Sequence, residues 1–188
     1  MTAERTGILD HRLAELRDRA DDRFAIDVVE DLVQIGVRTD PEGALAAGLP
    51  VESNTFVRRG ERITLWLGPD EWLVVAPGDG ADHLVAEVDA SLAPAHRSVL
   101  DLSANRVVLQ LSGAAVEEVL ATDCPIDLHP RVWTPGRCAQ TLVMGAPAIL
   151  ARHDDRTHVF VRPSFAEHVV DRLLDAAELV EEGRRSRS

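Results

Sequence analysis

The sequence predicts an α+β fold, built mostly from antiparallel sheets with packed helices. Short runs rich in β-branched and apolar residues follow one another with turn residues between them, as in residues 63–67 and 72–76, and this pattern predicts hairpins. Segments with helical periodicity come after such hairpins, without the strict strand-helix alternation of a parallel sheet. With 188 residues, 45% of them hydrophobic, the chain is long enough to bury a full core.

The pattern divides the chain into an arm, a domain and a tail. We predict an N-terminal arm over residues 1–24, a single α+β domain with two repeated halves over 25–180, and a flexible tail over 181–188. In the arm, Leu13, Leu16 and Ala20 lie at helical spacing, which predicts a short amphipathic helix over residues 11–20. We expect this arm to dock on the domain or on a partner. The apolar stripe is lost over residues 178–188, so we expect this end to fray.

The first half of the domain begins with an extended segment. Residues 25–38 are apolar and rich in β-branched residues, which predicts one strand. Pro41 suits the first turn of a short helix that ends near Gly48. The apolar residues of 81–92 share one face of a helix, and Asp79 is positioned as its cap. Between these helices we predict a meander of strands over residues 55–57, 63–67 and 72–76.

The rest of the domain continues with strands and helices. Here we predict strands over residues 98–102, 106–111, 139–144, 148–152 and 158–161, and a short helix over 113–121. A longer helix is predicted from about Phe165, with Ser164 as its cap. The two hairpin-helix units, residues 63–92 and 148–179, each carry a proline just after the second strand. We therefore interpret them as a diverged internal repeat.

Charge and composition exclude several classes of function. The chain has 20 basic and 32 acidic residues, a formal charge of −12, which disfavours nucleic acid as a partner. All the basic residues are arginines, so a Schiff-base lysine and a phosphate-loop lysine are excluded. No apolar run approaches the ~20 residues needed to span a bilayer. We expect a cytoplasmic protein that does not enter a membrane.

The cysteines suggest either a reactive thiol or a zinc site, but a structural role explains them better than either. Cys138 follows Arg137, which could lower the pKa of a thiol, but a half-buried cysteine at the start of a strand explains it better. Cys124, His129 and Cys138 have side chains of the types that bind zinc, but their spacing matches no common zinc motif. We expect reduced thiols. We interpret the segment from His153 to His158 as a solvated turn.

A polar group between two predicted strands is harder to explain as surface. Asp101, Asn105 and Arg106 must find partners there, either in a structural bend with Arg106 paired to an acid, or in ligand binding. Structure is the favoured alternative of the two. Tryptophan and arginine are also common anchors of interfaces, so core packing and subunit contact are both open for Trp72 and Trp133.

Four segments carry a family resemblance that extends from about residue 25 to about residue 177. They are Leu-Gly-Pro-Asp-Glu-Trp-Leu at 67–73, Asp-Leu-Ser-Ala-Asn-Arg at 101–106, Asp-Cys-Pro-Ile-Asp-Leu-His-Pro at 123–130 and Pro-Gly-Arg-Cys-Ala-Gln-Thr at 135–141. Together they resemble the gamma subunit family of heterotetrameric sarcosine oxidase. That family is similar in fold to the folate-binding domain of glycine-cleavage aminomethyltransferases.

The resemblance implies a structural subunit of an enzyme complex, without catalytic, cofactor-binding or metal-binding residues of its own. The complex would convert sarcosine to glycine and peroxide and pass a one-carbon unit to tetrahydrofolate. Its alpha, beta and delta subunits would be the partners, with NAD and tetrahydrofolate on alpha, and FAD and FMN on beta. We expect contacts with these partners from Trp72, Asn105, Arg106, Trp133, Arg137 and Gln140.

The alternative is a stand-alone folate-binding or aminomethyltransferase-like protein. Aminomethyltransferases share the fold but are about twice as long, and no counterpart of their catalytic aspartate loop is found here. Folate-binding proteins of iron-sulfur maintenance carry a Lys-Gly-Cys-Tyr segment. Here residues 136–139 read Gly-Arg-Cys-Ala, which keeps only the cysteine and so lacks both the lysine and the aromatic residue.

Overall fold

The computed structural model describes residues 7–78 and 80–186. In it, two five-stranded antiparallel sheets stack face to face, with helices on both outer faces. The strands are β1 Ala25–Val29, β2 Leu32–Thr39, β3 Phe56–Arg59, β4 Arg62–Gly68, β5 Glu71–Pro77, β6 Arg97–Asp101, β7 Val107–Ser112, β8 Cys138–Val143, β9 Ala146–Arg152 and β10 Arg156–Val161. The helices are α1 Leu13–Arg19, α2 Pro41–Ala46, α3 Asp82–Ser91, α4 Val116–Leu120 and α5 Pro163–Arg185. This architecture confirms the predicted α+β class.

Alternation along each strand divides the apolar residues among three cores. Sheet 1 has the order β3-β4-β5-β2-β6, and sheet 2 has the order β1-β7-β10-β9-β8. On β5, Leu73 faces the core between the sheets, whereas its neighbour Trp72 faces the outer core beneath α3. On β10, Phe160 faces the inter-sheet core and Val159 the outer core beneath α5. Both faces of each sheet are therefore largely apolar.

The predicted repeat is present and is larger than the sequence indicated. Each half has a first strand, a second strand, a short helix, three strands in a meander and a longer helix, over β1 to α3 and over β6 to α5. The first strand of each half pairs within the sheet of the other half. Strand β1 pairs with β7 in sheet 2, and β6 pairs with β2 in sheet 1. The two halves thus exchange strands.

The single strand predicted over residues 25–38 is wrong, because it is two strands in two different sheets. The chain leaves sheet 2 after Val29 and enters sheet 1 at Leu32. Between them Asp31 adopts a left-handed conformation with φ of 53°. Aspartate tolerates this region better than most residues, so the chain can turn here without a glycine or a proline.

Helices α2 and α5 are both present, but the residues predicted for their first turns differ in outcome. Pro41 occupies the first turn of α2, as predicted, and the Asp40 carboxylate accepts a 2.7 Å hydrogen bond from the amide of Gly43. Ser164 does not cap α5, because the helix already begins at Pro163. The cap predicted at residue 79 for α3 lies outside the described residues.

The described part of the N-terminal arm, residues 7–24, docks on the domain, which is one of the two expected alternatives. Leu9 and Leu16 are buried in the outer core of sheet 2. Arg12 in the arm lies 2.7 Å from the Asp171 carboxylate on α5. At the other end of the chain, α5 continues to Arg185, so residues 181–185 of the expected tail are helical.

Candidate functional site

The two tryptophans expected at an interface belong to the cores of the chain. Trp72 is only 1% exposed, and its indole Nε1 donates a 2.7 Å hydrogen bond to the Pro50 carbonyl oxygen. Trp133 is 6% exposed, and its indole nitrogen has no partner among the described residues. The structure therefore supports core packing for both and gives no support to an interface role for either.

We call the four segments that carry the family resemblance the signature segments, and the last of them, residues 135–141, joins the two sheets through its backbone. The amide of Phe56 donates a 2.8 Å hydrogen bond to the carbonyl oxygen of Gly136. Two residues further along, the amide of Cys138 donates a 2.9 Å bond to the carbonyl oxygen of Asn54. Strand β8 of sheet 2 is thereby held against the start of β3 in sheet 1.

Two predicted contact residues of this segment bond within the chain but keep part of their surface. The side-chain amide of Gln140 donates a 2.9 Å hydrogen bond to the Leu67 carbonyl oxygen. The Arg137 guanidinium lies 3.3 Å from the Glu52 carboxylate and is half-exposed. Gln140 remains exposed despite its bond, so both residues can contact another protein chain.

The thiol of Cys138 is fully buried between the sheets and is unsuited to nucleophilic chemistry. Its Sγ lies 3.1 Å from the Thr55 carbonyl oxygen and 3.3 Å from that of Trp66. Burial raises the pKa of this thiol to about 12, although the bond to Trp66 and the charge of Arg137 act in the opposite direction. Cys138 is thus a structural link, in agreement with the simpler of the two interpretations.

The third signature segment, residues 123–130, folds onto the outer core of sheet 2. Leu128 is buried there, and Ile126 packs against the same cluster. The carboxylate of Asp127 accepts a 2.9 Å hydrogen bond from the amide of His129. Over the described residues, no three side chains of His, Cys, Asp or Glu are grouped so that they could hold a metal ion.

The prediction of a solvated turn from His153 to His158 is wrong for the two histidine side chains, because His153 is buried and His158 is half-buried. His153 is only 5% exposed, and its Nδ1 lies 2.9 Å from a guanidinium nitrogen of Arg58. The ring centroid of His158 lies 4.4 Å from that of His153. Burial lowers the pKa of His153 to about 4 and that of His158 to about 3, and the neighbouring arginines Arg58 and Arg156 add to both shifts.

A cavity of about 480 Å³ lies where the chain leaves each first strand, in the sheet of the other half, and enters the sheet of its own half. We call it the crossover cavity. Its walls come from residues 7–10, 28–34 and 106–108, and from Gly78, Ala81, Asp101, Ser103, Ala104 and Pro163. Both crossover segments of the repeat meet here. This explains why a chain without a glycine-rich ligand motif still forms a concave site.

The polar group of residues 101–106 is divided between a bend and this cavity. The Asp101 carboxylate accepts a 2.9 Å hydrogen bond from the Ser103 amide, and Asn105 accepts a 3.5 Å bond from Arg162, as a structural bend requires. The other half of the structural prediction fails. Arg106 forms no ion pair with any acid of the described chain, and it lines the cavity.

Gln34 is a cavity residue that the sequence did not single out. It is 2% exposed, and its side-chain nitrogen donates a 2.9 Å hydrogen bond to the Arg106 carbonyl oxygen. The available signal was a lone amide between Val33 and Ile35 in an apolar strand. Such a residue must find partners when the strand is buried.

No helix of the described residues combines the length and the apolar content needed to cross a membrane. The chain is strongly acidic, with a formal charge of −12.

Comparison with known proteins gives consistent matches. Residues 35–178 match the model of the sarcosine oxidase, gamma subunit family. The gamma subunit of sarcosine oxidase from Corynebacterium sp. strain P-1 is 42% identical over 153 residues, which are 76% of this chain and 74% of that protein. The gamma subunit from an Arthrobacter species is 41% identical over 154 residues, with the same two shares.

Solved structures extend the comparison to the fold. A chain of the heterotetrameric sarcosine oxidase from Corynebacterium sp. U-96, in complex with pyrrole 2-carboxylate, superposes with a TM-score of 0.82 at 34% identity, over 92% of this chain and 94% of that one. The glycine cleavage system aminomethyltransferase T from Bartonella henselae superposes with a TM-score of 0.63 at 17% identity, over 85% of this chain and 48% of that one, and this shows likeness of fold alone. The chain belongs to the sarcosine oxidase gamma subunit family.

Proposed function

We propose that this chain is the gamma subunit of a heterotetrameric sarcosine oxidase and contributes structure to the complex rather than catalytic groups. The observation that carries the proposal is the match over 92% of the chain to a subunit of such a complex. The family signature supports a structural role, because its thiol and its backbone groups are bonded between the two sheets.

The rest of the assembly is proposed from the same resemblance. Alpha, beta and delta subunits are the partners, and the complex oxidises sarcosine to glycine with release of peroxide and transfer of a one-carbon unit to tetrahydrofolate. NAD and tetrahydrofolate are assigned to alpha, FAD and FMN to beta. The glycine fingerprint of a dinucleotide-binding module does not occur among the 188 residues, which is consistent with cofactors on the partners. We place the complex in the cytoplasm.

The surface around β8 is our proposed contact with a partner. This strand forms one edge of sheet 2, and beyond the bond of its first residue, Cys138, to Asn54, no strand of the described chain pairs with its outer side. Leu142 on it is 45% exposed, next to Gln140, and Arg137 precedes the strand. An exposed leucine beside a planar amide and a guanidinium resembles the mixed composition of protein interfaces.

Co-expression with the three proposed partner chains tests this function. We expect the tagged chain to co-elute with them in a large complex that absorbs at flavin wavelengths and oxidises sarcosine. Gln140→Ala combined with Leu142→Ser is expected to weaken assembly, whereas Leu45→Ser, at an exposed leucine on α2, is the matched control. A colourless chain that elutes alone in the presence of all three partners would contradict the proposal.

The alternative of a stand-alone folate-binding or aminomethyltransferase-like protein receives no specific support from the site. Likeness to aminomethyltransferase T is at the level of fold, and this chain covers about half of that protein. Activity of the isolated chain in aminomethyl transfer would restore this alternative.

A further inference from the structure

We propose that the crossover cavity binds a small zwitterionic amino acid, with its carboxylate at Arg106 and its cationic nitrogen toward the acidic mouth of the cavity. The subunit role proposed above requires no ligand on this chain, so this inference goes beyond it. It rests on the charges that line the cavity and on the polar atoms left without partners there.

Arg106 supplies the anion-binding group. Its Nη1 is buried and has no hydrogen-bond partner among the described residues, and the residue is absent from every ion pair that those residues form. Burial and then the nearby Arg162 lower the pKa of Arg106, while Glu71 acts in the opposite direction. A partly buried guanidinium without a paired carboxylate is unfavourable. A ligand carboxylate would supply that partner and can accept two parallel hydrogen bonds.

Gln34 supplies an acceptor on the opposite crossover. Its Oε1 is buried without a partner in the described chain, while its nitrogen is already bonded to the Arg106 carbonyl oxygen. The amide of Gln34 also donates a 3.1 Å hydrogen bond to Ser103 Oγ. These bonds tie the two crossovers together, so the walls of the cavity are largely ordered before any ligand enters. Because Gln34 lines the cavity, its Oε1 is an acceptor that remains for a ligand N–H group.

The mouth of the cavity selects against a simple anion. Asp10, Glu30 and Asp31 line the cavity, and the last two are exposed, so carboxylates outnumber the guanidinium of Arg106 among the described residues that line it. A ligand that carries only negative charge would meet repulsion there, whereas one with a cationic nitrogen next to its carboxylate is complementary to both groups. The volume of about 480 Å³ is within the range of small-molecule sites and leaves room for an amino acid with its hydration.

Titration of the isotopically labelled full chain, without partner subunits, tests the proposal by NMR chemical shifts. Glycine and sarcosine are the zwitterionic probes, and acetate and methylammonium each present one half of the zwitterion. We expect both zwitterions to shift the Gln34 side-chain amide and the Arg106 signals saturably, and each half-probe to bind at least about tenfold more weakly.

Three variants locate the site. Arg106→Gln is expected to weaken glycine binding by about tenfold or more, and Arg131→Gln, at an exposed arginine of the 123–137 loop, to leave it unchanged. Ala104→Phe places a ring at the cavity wall without changing Arg106, and it is expected to abolish binding. Circular dichroism establishes that each variant is folded, and if Arg106→Gln is not, Ala104→Phe decides the question.

Each result that contradicts the proposal overturns a different part of it. Absence of saturable shifts with both zwitterions overturns the site. Acetate that binds as tightly as glycine overturns the choice of a zwitterion, and binding that survives Ala104→Phe overturns the location.

Discussion

Cys138 shows how a single residue of the signature acts through burial rather than through reactivity. We predict that iodoacetamide at pH 8 modifies this thiol on the order of a thousandfold more slowly in the native chain than in the unfolded chain, because a pKa of about 12 leaves almost no thiolate. Peptide mass spectrometry after timed labelling measures the rate, and labelling in guanidinium is the control. Native labelling at the rate of an ordinary exposed thiol would contradict the buried position.

His153 and His158 make the stability of the chain depend on pH. Their pKa values in the folded chain, about 4 and about 3, are below the usual value near 6.5, so the unfolded chain binds more protons between these limits. The contribution of these two histidines to the free energy of unfolding is therefore fully present above about pH 6.5, and it falls as the pH decreases toward 4. The expected slope is up to about 1.4 kcal/mol per pH unit for each histidine.

Urea unfolding at intervals between pH 7 and pH 5 measures this slope. Replacing both residues, His153→Gln with His158→Gln, is expected to make the profile flatter over that interval. His83→Gln, at an exposed position of α3, is the matched control and should leave the slope as it is. A double variant with the wild-type slope would assign the pH dependence to other groups.

At the scale of elements, the arm and helix α5 are held together mainly by apolar packing. Leu16 is buried in the outer core of sheet 2, whereas Arg19 forms an ion pair with Glu178 on the surface. We expect Leu16→Ala to lower the free energy of unfolding by about 2–4 kcal/mol and Arg19→Gln to lower it by about 1 kcal/mol at most. Chemical denaturation compares the two variants, and equal losses would show that the ion pair contributes as much as the apolar contact.

The elements also show what could be predicted from sequence. The hairpin-helix units were predicted because alternation and helical periodicity are local patterns, and each of the strands expected in them is present. The split at Glu30 and Asp31 was missed because no glycine or proline marks it, and an apolar run looks the same whether it stays in one sheet or crosses between two. The helical extent of α5 beyond residue 180 was also missed, because ion pairs such as Arg185 with Glu181 replace its apolar stripe there.

For the candidate site, the sequence identified Arg106 but neither its surroundings nor its lack of an acidic partner. Those depend on which segment lies opposite, and the opposite wall comes from Gln34 and its neighbours, about seventy positions earlier in the chain. The burial of His153 was missed for the same reason. A turn rich in acidic residues is normally solvated, but here Arg58 and Phe56 from the other sheet cover it.

At the scale of the whole molecule, the excess of acidic residues should govern how fast the chain meets its partners. With a formal charge of −12, association with a basic surface is steered by long-range attraction, which salt screens over about 10 Å at 0.1 M. We expect the association rate to fall by about tenfold or more between low salt and 0.5 M salt, and the dissociation rate to change less. Stopped-flow mixing of the chain with its partners measures both. An association rate that salt does not alter would exclude steering by charge.

The exchange of first strands predicts that neither half of the molecule folds without the other. A fragment of residues 1–94 contains β1 but not its pairing partner β7, and it leaves β2 without β6; the fragment of residues 95–188 has the complementary defects. Each would also expose its side of the inter-sheet core, so the free energy from that burial is lost in both.

We expect each fragment alone to lack cooperative urea unfolding, and the mixed fragments to recover the circular dichroism of the intact chain. In the intact chain, fluorescence of Trp66 and Trp72 in the first half and of Trp133 in the second should report one common transition. A fragment that unfolds cooperatively by itself would mean that the exchanged strands are accessory to two independent halves.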